Sequence, residues 1–230
     1  MELASGIHLM PKLRGANAYV VWRDTGRDLL TLIDVGMPGN ATRIIEYFES
    51  LGNPQANGCT IILTHPDLDH SGSVAELKSR LGNVKVAIHE ADAPRLAGEK
   101  PLKEVRGAIG LIFRVMSPLM KFVPVKPDIL LKDGEFVNGL KVIHTPGHTQ
   151  GSISMYSESL KAIFVGDALR TDRNGNLKPP SATMTLNVEE ARDSIRKIAS
   201  YDFELLLPGH GLPILTDGSK KVKEFLVTLK

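Results

Sequence analysis

The sequence contains a single cysteine and no long uncharged apolar run. One thiol, Cys59, cannot form an internal disulfide, so folding does not depend on an oxidising compartment. The longest apolar segment, residues 105–123, is interrupted by Arg106, Arg114 and Lys121, which excludes a membrane-spanning helix. The first residues do not show a charged segment followed by an apolar one. We therefore expect no secretory signal and a cytoplasmic protein.

The charge balance also excludes a class of function. The 28 basic and 26 acidic side chains give a net charge of +2, which is too small for the basic field of a nucleic-acid-binding protein. Basic and aromatic residues do not alternate along any strip of the chain. Apolar residues at 42% and charged residues at 23% are typical of a globular protein. We expect a small-molecule substrate and no nucleic-acid partner.

Short apolar runs predict strands and helices in both halves of the chain. The predicted strands are residues 18–22, 29–33, 59–63, 84–88, 129–131, 136–137, 141–144, 153–156, 162–165 and 203–207. The predicted helices are residues 40–51, 71–81, 188–199 and 220–229, with Asn40 and Ser71 as the first two N-caps. This order favours two sheets packed face to face with helices outside, a four-layer αββα sandwich of the α/β class.

Four side chains that can bind metal lie within six residues, directly after the predicted strand 59–63. They are His65, Asp67, Asp69 and His70. Imidazole nitrogen combined with carboxylate oxygen suits zinc, iron or manganese, whereas calcium prefers oxygen alone. The alternative is a polar loop whose acids stabilise the start of the following helix. Two histidines are poorly suited to that role, so the pattern favours a metal site.

Three more residues of ligand type stand beside glycine where other predicted strands end. They are His148 in TPGHT, Asp167 in VGD and His210 in LPGHG. Strand ends on the same side of a sandwich share an edge. We therefore expect these side chains to meet the first group in one site.

The ordered motifs HxDxDH, PGHT, GD and PGHG resemble those of the metallo-β-lactamase superfamily. The segment TPGHTQGSISMY followed by IFVGDAL is similar to its glyoxalase II-like hydrolase branch. The resemblance runs from about residue 32 to Gly211 and implies one metallo-β-lactamase-like domain over residues 1–230. It also implies two divalent metal ions. The first ion would be bound by His65, Asp67 and His148, the second by Asp69, His70 and His210, with Asp167 bridging both.

The resemblance further implies a metallo-hydrolase that cleaves a small thioester, lactone or ester with a metal-bridging hydroxide. It would be similar to hydroxyacylglutathione hydrolases or lactonases. Two adjacent cations lower the pKa of water enough to supply hydroxide near neutral pH. Asp69 would orient that hydroxide and pass its proton to the leaving group, which makes it the predicted catalytic side chain. The competing hypotheses are an iron-dependent oxidoreductase similar to persulfide dioxygenases and, disfavoured by the charge balance, a nuclease.

Asp67 departs from the usual HxHxDH pattern of the superfamily, in which a histidine stands at its position. A carboxylate is a harder ligand than an imidazole, so Asp67 favours iron or manganese relative to zinc. Zinc remains the first expectation, with iron and manganese as alternatives.

The remaining acidic and histidine candidates lie outside the predicted ligand set. Asp34, after the strand 29–33, is either a partner of the metal loop or an ordinary turn acid, and both interpretations are open. His8, His89 and His144 are predicted to be structural.

A helical insertion is predicted at about residues 91–127. Its apolar positions recur at helical spacing on more than one side, and Pro118 should interrupt the helix. A lid over the metal site, a homodimer contact, a membrane-surface contact or a buried helix would each cover this apolar surface. We expect the insertion to border the site and to govern substrate size and polarity.

Overall fold

The computed structural model describes residues 1–22, 30–52, 58–102 and 122–229. The chain divides into two compact units, Met1–Leu130 and Leu131–Lys230. That residues 1–230 form one domain stays a prediction. Within the described ranges, no helix is long and apolar enough to cross a membrane.

The first unit is built on a sheet in which seven strands follow the order of the chain. Their bounds are β1 Glu2–Ala4, β2 Ile7–Leu9, β3 Tyr19–Val21, β4 Leu30–Ile33, β5 Cys59–Ile62, β6 Val84–His89 and β7 Ile129–Leu131. Strands β1 to β4 pair antiparallel, whereas β4, β5 and β6 pair parallel. Strands β4 and β5 are buried at every position, which explains their continuous apolar sequences.

Four helices are described in the first unit. They are α1 Ala41–Ser50, α2 Leu68–Ser71, α3 Val74–Leu81 and α4 Ala93–Leu96. Ile44 and Phe48 of α1 and Leu77 of α3 are fully buried in the same apolar cluster as strands β4, β5 and β6. Apolar residues on one side of α1 and of α3 therefore hold these helices to the sheet whose strand β5 leads into residues 65–70.

The prediction of one helix capped by Ser71 is wrong. Ser71 ends α2, and its N–H donates to the Asp67 carbonyl at 2.9 Å. The next residue, Gly72, donates its N–H to the carbonyl of Gly36 instead of continuing the helix. A new helix, α3, then begins with Ser73 at its N-cap. A contact with a distant segment has divided one periodic pattern into two helices.

The second unit contains a five-stranded sheet and a small two-stranded one. The strands of the larger sheet are β8 Phe136–Val137, β9 Leu140–His144, β10 Ile153–Ser157, β11 Ala162–Gly166 and β14 Leu205–Pro208, and the smaller pair is β12 Arg170–Thr171 with β13 Leu177–Lys178. The order in the larger sheet is β14, β11, β10, β9, β8. Strands β8 to β11 pair antiparallel, and β14 joins β11 in parallel.

Two helices cover the apolar core of the second unit, α5 Val188–Ala199 and α6 Gly218–Thr228. Asn187 caps α5, because its side-chain oxygen accepts the Glu190 N–H at 3.2 Å. Ile195 of α5 and Val222 of α6 are fully buried in one cluster with residues of β9, β11 and β14. A short 3-10 turn, Ala182–Met184, precedes α5.

Only the ends of the predicted insertion fall within the described residues. The short helix α4 lies in its first part, and residues 122–127 carry no helix. The helical stripe predicted around Pro118 lies outside the described residues. Its role as lid, dimer contact or core stays a prediction.

Candidate metal centre

The loop after β5 gathers four of the predicted ligands in the first unit. His65, Asp67 and His70 are buried, while the Asp69 side chain is 37% exposed. Nε2 of His65 lies 3.6 Å from Asp67 Oδ2, and Nε2 of His70 lies 4.0 Å from Asp69 Oδ2. The two imidazole rings are 4.0 Å apart between centroids. All four side chains thus converge at one end of the parallel strands.

Asp34 is a partner of this loop rather than an ordinary turn acid. Its Oδ2 lies 2.8 Å from His70 Nδ1, and its Oδ1 accepts the Thr64 N–H at 2.9 Å. The Thr64 hydroxyl also donates to Oδ2 at 2.8 Å. The Asp34 side chain is 3% exposed. It therefore holds the Nδ1 side of His70 and directs Nε2 toward Asp69.

Backbone hydrogen bonds from distant segments support the same loop. The Val35 N–H donates to the His70 carbonyl at 2.8 Å, and the Ala16 N–H donates to the Asp69 carbonyl at 2.9 Å. The Asp34 N–H donates to the Ile62 carbonyl at the end of β5. The sequence did not indicate the contribution of Ala16, because nothing in the local pattern links it to Asp69.

The second unit brings together the other three predicted ligands. His148 Nε2 lies 3.6 Å from Asp167 Oδ2, and His210 Nε2 lies 3.6 Å from Asp167 Oδ1. His148 is buried, whereas the His210 side chain is 37% exposed. One oxygen of the Asp167 carboxylate thus faces each histidine, as expected for a carboxylate shared between two sites.

The His148 turn rests on the start of α5. The Asn187 N–H donates to the Gly147 carbonyl at 2.9 Å, and the Gly147 N–H donates to the Thr149 carbonyl at 3.0 Å. The Thr185 hydroxyl lies 3.5 Å from His148 Nδ1 and donates to the Ser181 carbonyl at 2.8 Å. Thr185 is a partner that the sequence did not reveal.

The His210 turn is held by the ends of two strands. The Thr171 N–H of β12 donates to the His210 carbonyl at 3.1 Å, and the Thr171 hydroxyl donates to the Leu212 carbonyl at 2.8 Å. The Gly209 N–H donates to the carbonyl of Gly166, which ends β11. His210 and Asp167 are therefore fixed relative to each other by their own backbones.

The other three histidines have hydrogen-bonding partners of their own. His8 Nδ1 lies 3.1 Å from the Tyr47 hydroxyl, and burial lowers the pKa of His8. His144 Nε2 lies 2.9 Å from the Gln150 carbonyl, and His89 Nδ1 accepts the Ala91 N–H at 3.3 Å. Within the described part of the chain, none of the three belongs to a His and Asp cluster able to hold a metal ion.

The spacing of the imidazole and carboxylate groups fits metal ligation. Two ligand atoms about 2.1 Å from one ion at a tetrahedral angle lie about 3.4 Å apart. Three of the four nitrogen–oxygen separations are 3.6 Å. Such a separation is longer than a hydrogen bond. Buried imidazole nitrogens and carboxylate oxygens are a donor set for zinc, iron or manganese.

Ligand-type side chains lie on loops at strand ends, and an oxygen atom lies within 3.5 Å of Nδ1 in His65, His70 and His148, an arrangement typical of sites that bind metal ions. The model of the metallo-beta-lactamase superfamily matches residues 11–210, and the chain belongs to this superfamily. Its members typically bind two metal ions.

Relatives with named activities cover most of the chain. The probable metallo-hydrolase YflN of Bacillus subtilis is 30% identical over 93% of this chain and 86% of its own length. The human acyl-coenzyme A thioesterase MBLAC2 is 27% identical over 84% of this chain and 73% of its own. The hydroxyacylglutathione hydrolase GloC of Haemophilus influenzae is 26% identical over 91% of this chain and 92% of its own length. These similarities confirm the predicted likeness to glyoxalase II-like hydrolases.

Solved structures confirm the fold class. The metallo-beta-lactamase family protein TTHA1429 of Thermus thermophilus covers 99% of this chain and 80% of its own, with a TM-score of 0.72 and 20% identity. The structure of TTHA1623, solved in a di-iron-bound form, covers 90% of this chain and 92% of its own, with a TM-score of 0.65 and 25% identity. The predicted αββα sandwich of the metallo-β-lactamase type is therefore the fold of this chain.

Proposed function

We propose that this chain is a dinuclear metal-dependent hydrolase that cleaves a small thioester, lactone or ester. The observation that carries the proposal is the repeated separation of 3.6 Å between imidazole Nε2 and carboxylate oxygen in both loop groups. It rests as well on Asp34, which holds the Nδ1 atom of His70 and so turns its Nε2 toward Asp69.

The seven predicted ligands are assigned as the superfamily resemblance implies. We expect one ion to be held by His65, Asp67 and His148. We expect the other to be held by Asp69, His70 and His210, with Asp167 shared. Zinc is the first expectation, while the carboxylate of Asp67 keeps iron and manganese as alternatives. The di-iron-bound form of TTHA1623 supports iron as one of these.

Two such ions, when bound, supply hydroxide near neutral pH and polarise a substrate carbonyl. Asp69 is the side chain proposed to carry the proton. Its carboxylate is 37% exposed, compared with 8% for Asp67 and 17% for Asp167, so substrate and water can reach it. Asp69 would orient the attacking water and deliver the proton to the leaving group.

The relatives favour a thioester among the three substrate classes. One is named an acyl-coenzyme A thioesterase and another a hydroxyacylglutathione hydrolase. Thiolates leave more readily than alkoxides because thiols are the stronger acids. We therefore place acyl thioesters first and lactones second.

Metal analysis of matched histidine variants tests the proposed centre. We expect about two ions per wild-type chain after reconstitution, and a marked loss in His148→Ala. His144→Ala is the control, because His144 lies four positions away and bonds the Gln150 carbonyl. Equal metal content in the two variants, or at most one ion in the wild type, would contradict the dinuclear centre.

A substrate screen tests the reaction. We expect the reconstituted protein to hydrolyse acyl thioesters or lactones, and Asp69→Asn to reduce turnover by more than its loss of metal explains. Oxygen consumption with a persulfide, without hydrolysis of any ester tested, would favour the iron-dependent oxidoreductase instead. Trapping of a covalent acyl-enzyme would also contradict the proposal.

A further inference from the structure

We propose that Thr64 is a positioning residue whose hydroxyl extends the orienting effect of Asp34 to His65. One buried carboxylate would then set the imidazole orientation of both His65 and His70. The inference rests on the proposed function only in taking these two histidines as metal ligands.

The hydrogen bonds form a short relay within the first unit. The Thr64 hydroxyl donates to Asp34 Oδ2 at 2.8 Å and lies 3.1 Å from His65 Nδ1. The same Oδ2 lies 2.8 Å from His70 Nδ1. All four residues are at most 2% exposed, so bulk water does not compete with these contacts.

The single proton of the Thr64 hydroxyl fixes the direction of the relay. If that proton points to Asp34, the hydroxyl oxygen can only accept from His65, and Nδ1 of His65 must carry a hydrogen. The reverse arrangement would place the hydroxyl lone pairs against the Asp34 carboxylate at 2.8 Å. That arrangement is unfavourable, because a carboxylate only accepts hydrogen bonds.

The same reasoning applies directly to His70. The Asp34 carboxylate can only accept, so the neutral His70 ring must carry its hydrogen on Nδ1. Both rings therefore present an unprotonated Nε2, the atom that lies near Asp67 in His65 and near Asp69 in His70. Asp34 acts on His70 directly and on His65 through Thr64.

The position of Thr64 is itself held by Asp34. The Thr64 N–H donates to Asp34 Oδ1 at 2.9 Å, so backbone and hydroxyl engage the two oxygens of one carboxylate. This double contact fixes the side-chain rotamer of Thr64 and the direction of its hydroxyl. A serine at this position would retain both contacts, whereas a valine would keep only the backbone one.

NMR spectroscopy of the imidazole nitrogens, on the metal-free protein at alkaline pH, tests the relay. This readout depends neither on metal binding nor on catalytic activity. We expect both His65 and His70 in the wild type to carry hydrogen on Nδ1. In Thr64→Val, His65 should shift toward the Nε2-protonated tautomer while His70 stays unchanged. Thr64→Ser is the matched control and should keep the wild-type pattern. Wild-type His65 with its hydrogen on Nε2 would overturn the proposal even if no variant folds.

Metal affinity supplies a second readout. Loss of a hydrogen-bonding partner behind a metal-bound histidine typically lowers affinity by about 10- to 100-fold. We expect Thr64→Val to lower the affinity for one of the two ions by about 10-fold or more. Thr64→Ser should keep the wild-type affinity. Asp34→Asn should lower the affinity for both ions. Asparagine tolerates the positive φ of 57° at this position, so the substitution should not strain the backbone.

The two readouts separate this proposal from the proposed function. Wild-type protein that binds no metal but shows the expected tautomers would refute the metal centre and leave the relay intact. Thr64→Val with unchanged His65 tautomer and unchanged affinity for both ions would refute the relay, whatever reaction the protein catalyses.

Discussion

Replacing Gly147 by alanine should loosen the His148 turn from α5. Gly147 has a φ of +121°, which lies far from the conformations that L side chains adopt. A Cβ atom built there lies 2.3 Å from the Ala191 nitrogen and 2.5 Å from its Cα. Both neighbours are helix backbone, which cannot rotate away as a flexible side chain could. The turn and the helix must therefore separate by about 1 Å to restore ordinary contact.

The cost follows from two contributions. An unfavourable backbone conformation costs about 1–3 kcal/mol, and overpacking costs a further 1–3 kcal/mol or so. We expect Gly147→Ala to lower the free energy of unfolding of the metal-free protein by about 2–6 kcal/mol. Metal sites tolerate ligand displacements of only about 0.2 Å, so metal affinity should fall as well.

Urea unfolding followed by circular dichroism measures the first effect, and metal analysis measures the second. Gly139→Ala is the control, because Gly139 also has a positive φ, 76°, but a Cβ there meets nothing within 4 Å. Gly139→Ala should lower the free energy of unfolding by only about 1–2 kcal/mol. Equal destabilisation by the two substitutions, together with normal metal content in Gly147→Ala, would refute the reasoning.

Three further predictions concern the metal preference, the thiol and the acid stability. Asp67→His should raise the preference for zinc over iron or manganese, since imidazole is the softer ligand, and unchanged competition among these metals would contradict this. Burial raises the pKa of the Cys59 thiol to about 12, so folded protein should resist alkylation at pH 8 and react only after unfolding, as mass spectrometry would show. Burial alone would raise the pKa of Asp128, but its hydrogen bonds with Lys78 and the Val86 N–H lower it overall. The stabilisation by Asp128 is therefore complete above its unfolded-state pKa and disappears as the pH falls through the lower folded-state value. In thermal unfolding, the melting temperature of Asp128→Asn should differ from that of the wild type at neutral pH and match it in strong acid.

The strands and the ligand-bearing loops could be predicted because their signals are local. His65 to His70 form one short motif after an apolar run, and His148 and His210 each stand beside glycine at a strand end. Apolar periodicity and glycine-rich turns are properties of neighbouring residues, so the sequence displays them directly.

The supporting contacts could not be predicted because their partners are far apart in the chain. Thr185 stands 37 positions from His148, and Thr64 stands 30 positions from Asp34. Asn40 shows the same effect. It precedes α1 as predicted, yet its side chain makes no capping bond and instead contacts the Arg14 backbone. Local propensity identified the position, and tertiary contacts decided what the side chain does there.

The parallel pairing of β14 with β11 has a consequence for the order in which the chain folds. Ile163 of β11 lies opposite Leu206, so the edge of the five-stranded sheet stays open until residues some 40 positions later have been synthesised. Pairing between segments so distant in sequence is slow, because the intervening chain loses conformational freedom before any contact forms. His210 follows β14 by two residues and depends on its docking. His148 and Asp167 are therefore synthesised before His210, and the three side chains of the second unit meet only after its last strand has paired with β11.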